Sequence, residues 1–222
     1  AVPSETEPAI RDRLLLFVAE AISSFLPGQA RADVHDQVLA TTIRLSRETE
    51  DSDAWRSYTR AFIAEFAARG GDEYEATVRD FASSENPDIA WRARRALAAR
   101  GLVDADAIEA WRSADGSGEA ARMSVEALAS LPLEDARSRA WESVYSESLS
   151  NDFLTATLAG LNASSWEGDS GLDSAVDRLR PYWEAHTIGM ALRYANGVLA
   201  YGLDIDREGS VERSVGLLRG WL

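Results

Sequence analysis

The sequence predicts an all-α fold of stacked antiparallel helix pairs. Three observations predict it. Apolar residues recur at three- and four-residue steps along the whole chain, which is the helical period. No alternating run of β-branched residues lies between turn signals, as a strand would require. Gly and Pro punctuate the pattern at short intervals, so the helices are short and their neighbours antiparallel. With 222 residues, 45% of them hydrophobic, there is ample material for a core.

The elements follow in order. Ile10, Leu14, Phe17, Val18, Ala21, Ile22 and Phe25 form the stripe of a first helix, opened near Pro8 and closed by Pro27-Gly28. A second runs over residues 30–46, with Val34, Val38, Leu39, Thr42 and Leu45 inward. Ser52 is the expected cap of a third, with Trp55, Thr59, Phe62, Ile63 and Phe66 inward and Gly70-Gly71 at its end. Tyr74, Val78 and Phe81 mark a short fourth. Pro87 opens a helix that stops at Gly101. Asp104 caps the next, and Ser117 lies in the Gly-Ser-Gly turn before a helix that Pro132 ends. Ala136, Ala140, Trp141 and Val144 follow. Asn151 is then the expected cap for Leu154, Leu158 and Leu161. Beyond the linker at 168–171, Leu172, Val176, Leu179 and Trp183 form one stripe. Ile188, Leu192, Ala195 and Leu199 form another, and Val211, Val215, Leu218 and Leu222 the last. Trp55, Trp91, Trp141 and Trp183 lie 36, 50 and 42 residues apart. Those spacings bracket the roughly 40–47-residue period of two-helix repeats, although Trp111 and Trp166 interrupt it.

The helix from Asp88 to Arg100 differs from the others. Ile89, Ala90, Ala93, Ala96 and Leu97 share one arc, and Trp91 lies nearly opposite with Arg92, Arg94 and Arg95 around it. A surface helix has a single apolar stripe. Two distinct faces indicate a helix packed between layers, with Trp91 as a structural residue. Arg92, Arg94 and Arg95 form the one basic concentration, and they are the candidate contacts for a peptide carboxylate or another anion.

Composition removes several classes of chemistry. The chain has no Cys, so disulfides, thiol nucleophiles and thiolate metal sites are excluded. Every base is Arg, so there is no Schiff-base or phosphate-loop lysine. The formal charge of −14 disfavours nucleic acid and anionic membranes as partners. Leu14 to Ala19 follows two arginines like a signal sequence, but Glu20 ends it too soon. The chain opens at Ala1 and is expected to be a processed or excised piece.

No catalytic centre emerges. The two histidines do not fall in an H-E-x-x-H frame. His35, between Asp33 and Asp36, is expected to be solvated, and His186 to favour the end of a helix. The acidic pairs Asp51/Asp53, Asp104/Asp106, Glu134/Asp135 and Asp204/Asp206 read mostly as helix-start carboxylates. Residues 204–209 lack the glycine and distal glutamate of a calcium loop. No catalytic or metal-binding residue is therefore expected in this chain.

The stretch Pro87-Asp88-Ile89-Ala90-Trp91-Arg92-Ala93-Arg94-Arg95-Ala96-Leu97-Ala98-Ala99-Arg100-Gly101 resembles the C-terminal helical domain of actinobacterial aminopeptidase N, a zinc aminopeptidase. The likeness continues through Asp104 to Trp111, the turn Asp115-Gly116-Ser117-Gly118, Ala136 to Val144, Leu149-Ser150-Asn151 and Pro181-Tyr182-Trp183-Glu184. It covers residues 87–222; residues 1–86 fit by helix pattern alone, and residues 164–171 depart from the family. The resemblance implies a single domain over 1–222, an α-α superhelix like HEAT and armadillo repeats. It also implies that the chain encloses the peptide cavity of a separate catalytic domain on the same polypeptide. Zinc and the H-E-x-x-H and G-x-M-E-N motifs would belong to that catalytic domain, and a cytoplasmic location is expected. A free-standing helical-repeat scaffold for another protein is the alternative. A small enzyme built on a carboxylate pair is a third reading.

Overall fold

The computed structural model describes residues 2–146, 149–164, 171–202 and Gly216. The described residues are helical, without a strand, and the chain divides into two compact units, residues 1–97 and 98–222. Most of the predicted 168–171 linker, the acidic stretch at 204–209 and the last predicted helix lie outside the described residues.

The first unit holds α1 (Pro8–Phe25), α2 (Gly28–Glu48), α3 (Ser52–Arg69), α4 (Glu75–Ala82) and most of α5 (Pro87–Ala99). α3 packs against both α1 and α2. Its cap is Asp51, not Ser52. Asp51 has extended backbone geometry, and its carboxylate accepts from the N–H groups of Asp53 and Ala54 at 2.7 and 3.1 Å, which leaves Ser52 as the first helical residue. α3 ends at Gly70, whose φ of 83° favours glycine. Tyr58, Phe62, Ile63 and Phe66 are buried along α3. Phe62 meets Tyr74 and Phe81 edge-on at 5.6 and 6.1 Å, which fixes α4 against it.

Two expectations for this unit are corrected. Ile10, Phe17 and Phe25 do not face the core; Phe25 is 77% exposed. α1 carries more apolar residues than one face can cover. Its packed arc contains Arg11, which donates to the Glu5 carbonyl at 2.9 Å and lies over the Tyr58 ring at 5.8 Å. His35 is not solvated either. It shares an arc with the buried Leu39, Thr42 and Ser46, three and four residues apart, and meets Glu65 on α3.

The second unit holds α6 (Ala105–Ala114), α7 (Gly118–Ser130), α8 (Glu134–Val144), α9 (Asn151–Ala163), α10 (Leu172–Asp177), α11 (Leu179–Ala185) and α12 (Ile188–Gly202). α9 is central and packs against α7, α8 and α12. Two glycines allow the close approaches. A Cβ on Gly160 would lie 2.3 Å from the Glu126 carbonyl oxygen of α7, and one on Gly197 would lie 2.7 Å from Leu158. The core gathers Val144, Leu154, Leu158, Leu161, Leu179, Tyr182, Tyr194 and Val198.

Here the corrections concern caps and faces. Ser150, not Asn151, caps α9, its hydroxyl accepting from Phe153 N–H at 3.3 Å. The stripe from Leu172 to Trp183 is broken into α10 and α11, because Pro181 has no N–H to give the Asp177 carbonyl. α12 buries Ala191, Tyr194 and Val198, whereas Ile188 is 70% exposed and Leu192 also faces outward. The close contact at Gly197 turns that arc inward. Among the described residues, no helix is long and apolar enough to cross a membrane.

Candidate binding cleft

The site is built from α3 outward. Ser57, Arg60, Ala61, Ala64 and Glu65 stand at i, i+3, i+4, i+7 and i+8 and therefore share one face of the helix. That face borders a cleft of about 260 Å³. Leu15, Leu16 and Ala19 of α1, Val38 of α2 and Ala61 and Ala64 of α3 make its apolar wall. Asp12, Arg60, Glu65 and Arg92 supply its charges.

The charges are arranged in two groups. At one end Arg60 Nε donates to Asp88 at 2.7 Å, with its Nη1 3.6 Å from Asp12, and Arg92 Nε donates to Asp88 at 2.9 Å. Two guanidinium groups thus face two carboxylates. Burial pushes the Asp88 carboxyl up, but the hydrogen bonds and charges of Arg60 and Arg92 outweigh burial and hold it below the usual carboxylate value. The second group is Glu65, only 4% exposed, with His35 Nδ1 on its Oε2. A rise of 1.5 Å per residue separates Arg60 from Glu65 by about 7–8 Å along α3.

The candidate arginines of α5 are not brought together into one basic surface. Arg92 reaches the cleft and is tied to Asp88. Arg94 turns away, donating to the Ala82 carbonyl at 3.0 Å, where it satisfies a free acceptor at the end of α4. Its guanidinium also sits 4.9 Å from the Trp91 ring. Arg95 is half-buried and engaged within the fold. Trp91 itself is 1% exposed.

His186 stacks on Tyr182 at 3.8 Å, and its Nδ1 lies 3.0 Å from the Tyr182 carbonyl, at the end of α11. Asp51 and Asp104 are helix caps, and Glu134 and Asp135 stand in the first turn of α8. Among the described residues, no group of three or more His, Asp and Glu could hold a metal ion. A further groove of about 410 Å³ in the second unit is walled mainly by Val125, Leu128, Ala129, Leu131, Ala136 and Ala140.

Sequence reasoning found Arg92 but missed Glu65, Arg60, Asp12 and Asp88. Arg60 and Glu65, five residues apart, stand at the two edges of the arc that Ser57, Ala61 and Ala64 occupy, so the sequence offered little sign that they border one cleft. The partners across 28 and 30 residues leave no local trace.

No protein-family model matches the chain, and no curated protein matches it.

Proposed function

We propose that this chain is the non-catalytic C-terminal helical domain of a zinc aminopeptidase and that the α3 cleft is where it meets peptide. The supporting observation is the cleft itself: an apolar wall of Leu15, Leu16, Ala19, Val38, Ala61 and Ala64 with charged groups along one face of α3. Such a surface takes an apolar peptide side chain and orients it by its polar neighbours. The resemblance over residues 87–222 supports the parent enzyme. In this reading the chain has no activity of its own, zinc belongs to the catalytic domain of the same polypeptide, and the protein acts in the cytoplasm. Arg92 is the candidate contact that lines the cleft; Arg94 and Arg95 serve the fold.

A free-standing interaction scaffold is the second reading. It is favoured by Ile10, Leu16, Phe17 and Phe25, large apolar side chains left exposed on α1.

A fluorescein-labelled, apolar-rich decapeptide titrated onto the chain tests the proposal. Saturable anisotropy is expected, weakened about tenfold by Ala64→Trp, which fills the cleft from an exposed position. No binding, or equal binding by the filled variant, overturns it. H-E-x-x-H and G-x-M-E-N motifs upstream in the same reading frame would support the aminopeptidase assignment over the scaffold.

A further inference from the structure

α1 is apolar on two sides, and Arg11 and Ile22, 3% and 2% exposed, mark the packed one. Ile10, Arg13, Phe17, Glu20 and Ala21 lie on the other. At 100° per residue these five fall within an arc of about 100°, turned away from Arg11 and Ile22. All five are exposed, Ile10 by 50% and Phe17 by 48%, and Phe25 extends the apolar edge of the arc. Large apolar side chains gathered on one outward helix face are the mark of an interaction surface.

The charges of this face are placed symmetrically. Arg13 and Glu20 are seven residues apart, so they share one edge of the arc, about 10 Å from each other along the axis. Their midpoint falls between Leu16 and Phe17. A twofold rotation about that point turns α1 onto an antiparallel copy and sets each Arg13 level with the Glu20 of the second copy. The two Phe17 rings then stand within about 2 Å of the same height, and Phe25 of one copy lies about 3 Å in height from Ile10 of the other. The Arg13 guanidinium lies 4.6 Å from the Phe17 ring, which holds it against this face. Glu20 is also engaged within its own chain, and a carboxylate has acceptor sites for more than one contact. A parallel pair would instead set the charged edge against Leu14, Ala21 and Phe25 and match no charge.

We infer that the outer face of α1 binds a second copy of this chain, antiparallel, through Ile10, Phe17 and Phe25 and two Arg13–Glu20 pairs between the copies. Such an interface is isologous, so each complementary contact occurs twice. The 18 residues of α1 give a strip about 27 Å long and about 10 Å wide. That is well below the roughly 800 Å² per partner of a stable interface, so the association belongs in the micromolar range. Ile10, Arg13, Phe17 and Phe25 do not line the α3 cleft, so this surface is independent of the peptide-binding reading.

Sedimentation velocity of the chain from about 1 to 200 μM, at about 0.15 M salt to screen the repulsion between two acidic copies, is the test. A reversible monomer–dimer transition is expected. Arg13→Glu and Glu20→Arg should each weaken it about tenfold, because symmetry makes every change count twice. The first makes the chain more acidic and the second less so, and a loss in both therefore does not follow net charge. The double variant, with the two charges exchanged, should dimerise within about twofold of the unmodified chain. Both positions are exposed, and circular dichroism of each variant should show unchanged helicity. A monomer at every concentration overturns the inference and leaves the α1 face to a different protein. A dimer that either single variant leaves unchanged, or that the double variant fails to restore, overturns the antiparallel α1 pairing.

Discussion

Tyr182 and Tyr194 stack nearly parallel at 4.1 Å, yet among the described residues only the Tyr194 hydroxyl has an acceptor. Tyr194 donates to the Ala175 carbonyl at 2.6 Å and lies 3.3 Å from the Tyr145 hydroxyl, which joins α12 to α8 and α10. The Tyr182 hydroxyl is buried and finds no partner among the described residues. Burial, and then Tyr145, push the Tyr194 phenol far above its ordinary value, so it stays a neutral donor. Removing the two hydroxyls should therefore have opposite consequences. Tyr194→Phe leaves a buried carbonyl unpaired and should cost about 1–2 kcal/mol. Tyr182→Phe removes an unmet polar group and should be neutral or slightly stabilising. Urea midpoints of the two variants check this; equal losses would mean that the Tyr182 hydroxyl has a partner.

Gly160 sets the distance between α9 and α7. Its missing Cβ would lie 2.3 Å from a backbone oxygen and 2.7 Å from Ala129 Cβ, and backbone cannot rotate aside as a side chain can. Gly160→Ala should destabilise by about 1–3 kcal/mol, despite the better helix propensity of alanine. A gain in stability would show that the two helices separate freely.

Trp91 is buried beside the Arg94 guanidinium, which is itself bonded to the end of α4. Trp91→Ala should cost about 3–5 kcal/mol. Arg94→Lys should also destabilise, because an ammonium cannot reproduce both the Nε bond to the Ala82 carbonyl and the guanidinium contact with the Trp91 ring. Thermal midpoints report both. An unshifted Trp91→Ala midpoint would mean that the ring is not part of the core.

Asp88 carries a pH signature. Its carboxyl is held below the usual value in the folded chain, so its contribution is present above the unfolded value of about 3.9 and is lost as pH falls through the folded one. The pairs are partly exposed, and screening keeps their worth to about 1 kcal/mol. Asp88→Asn should lower the urea midpoint at pH 7, and the difference should vanish near pH 2. A difference that persists in acid would make the residue's role steric.

The helices and most of their ends were readable in the sequence, because glycine, proline and capping carboxylates act locally. Gly70, Gly101, Pro132 and Asp104 stop or start helices where their chemistry requires. Which arc turns inward was less readable wherever a helix is apolar on two sides. On α12, Leu192 and Tyr194 are both plausible core residues, and the choice is made by Gly197 meeting Leu158 on another helix. On α1 the surplus of apolar side chains concealed a buried arginine. The cleft was legible only in part for the same reason. Arg92 stood out within a basic cluster, but its Asp88 tie and the His35–Glu65 pair arise from tertiary packing.

The central claim is that this domain contacts peptide away from the bond being cut. Binding energy remote from the reacting atoms matters for long substrates and is absent for a single aminoacyl-anilide. The direct measurement is kcat/KM for a decapeptide divided by kcat/KM for the anilide, in the aminopeptidase proposed to carry this chain and in its Ala64→Trp variant. The ratio is expected to fall about tenfold in the variant, with the anilide rate unchanged. An equal ratio in the two enzymes, or the absence of aminopeptidase activity in the protein that carries the chain, would contradict the claim.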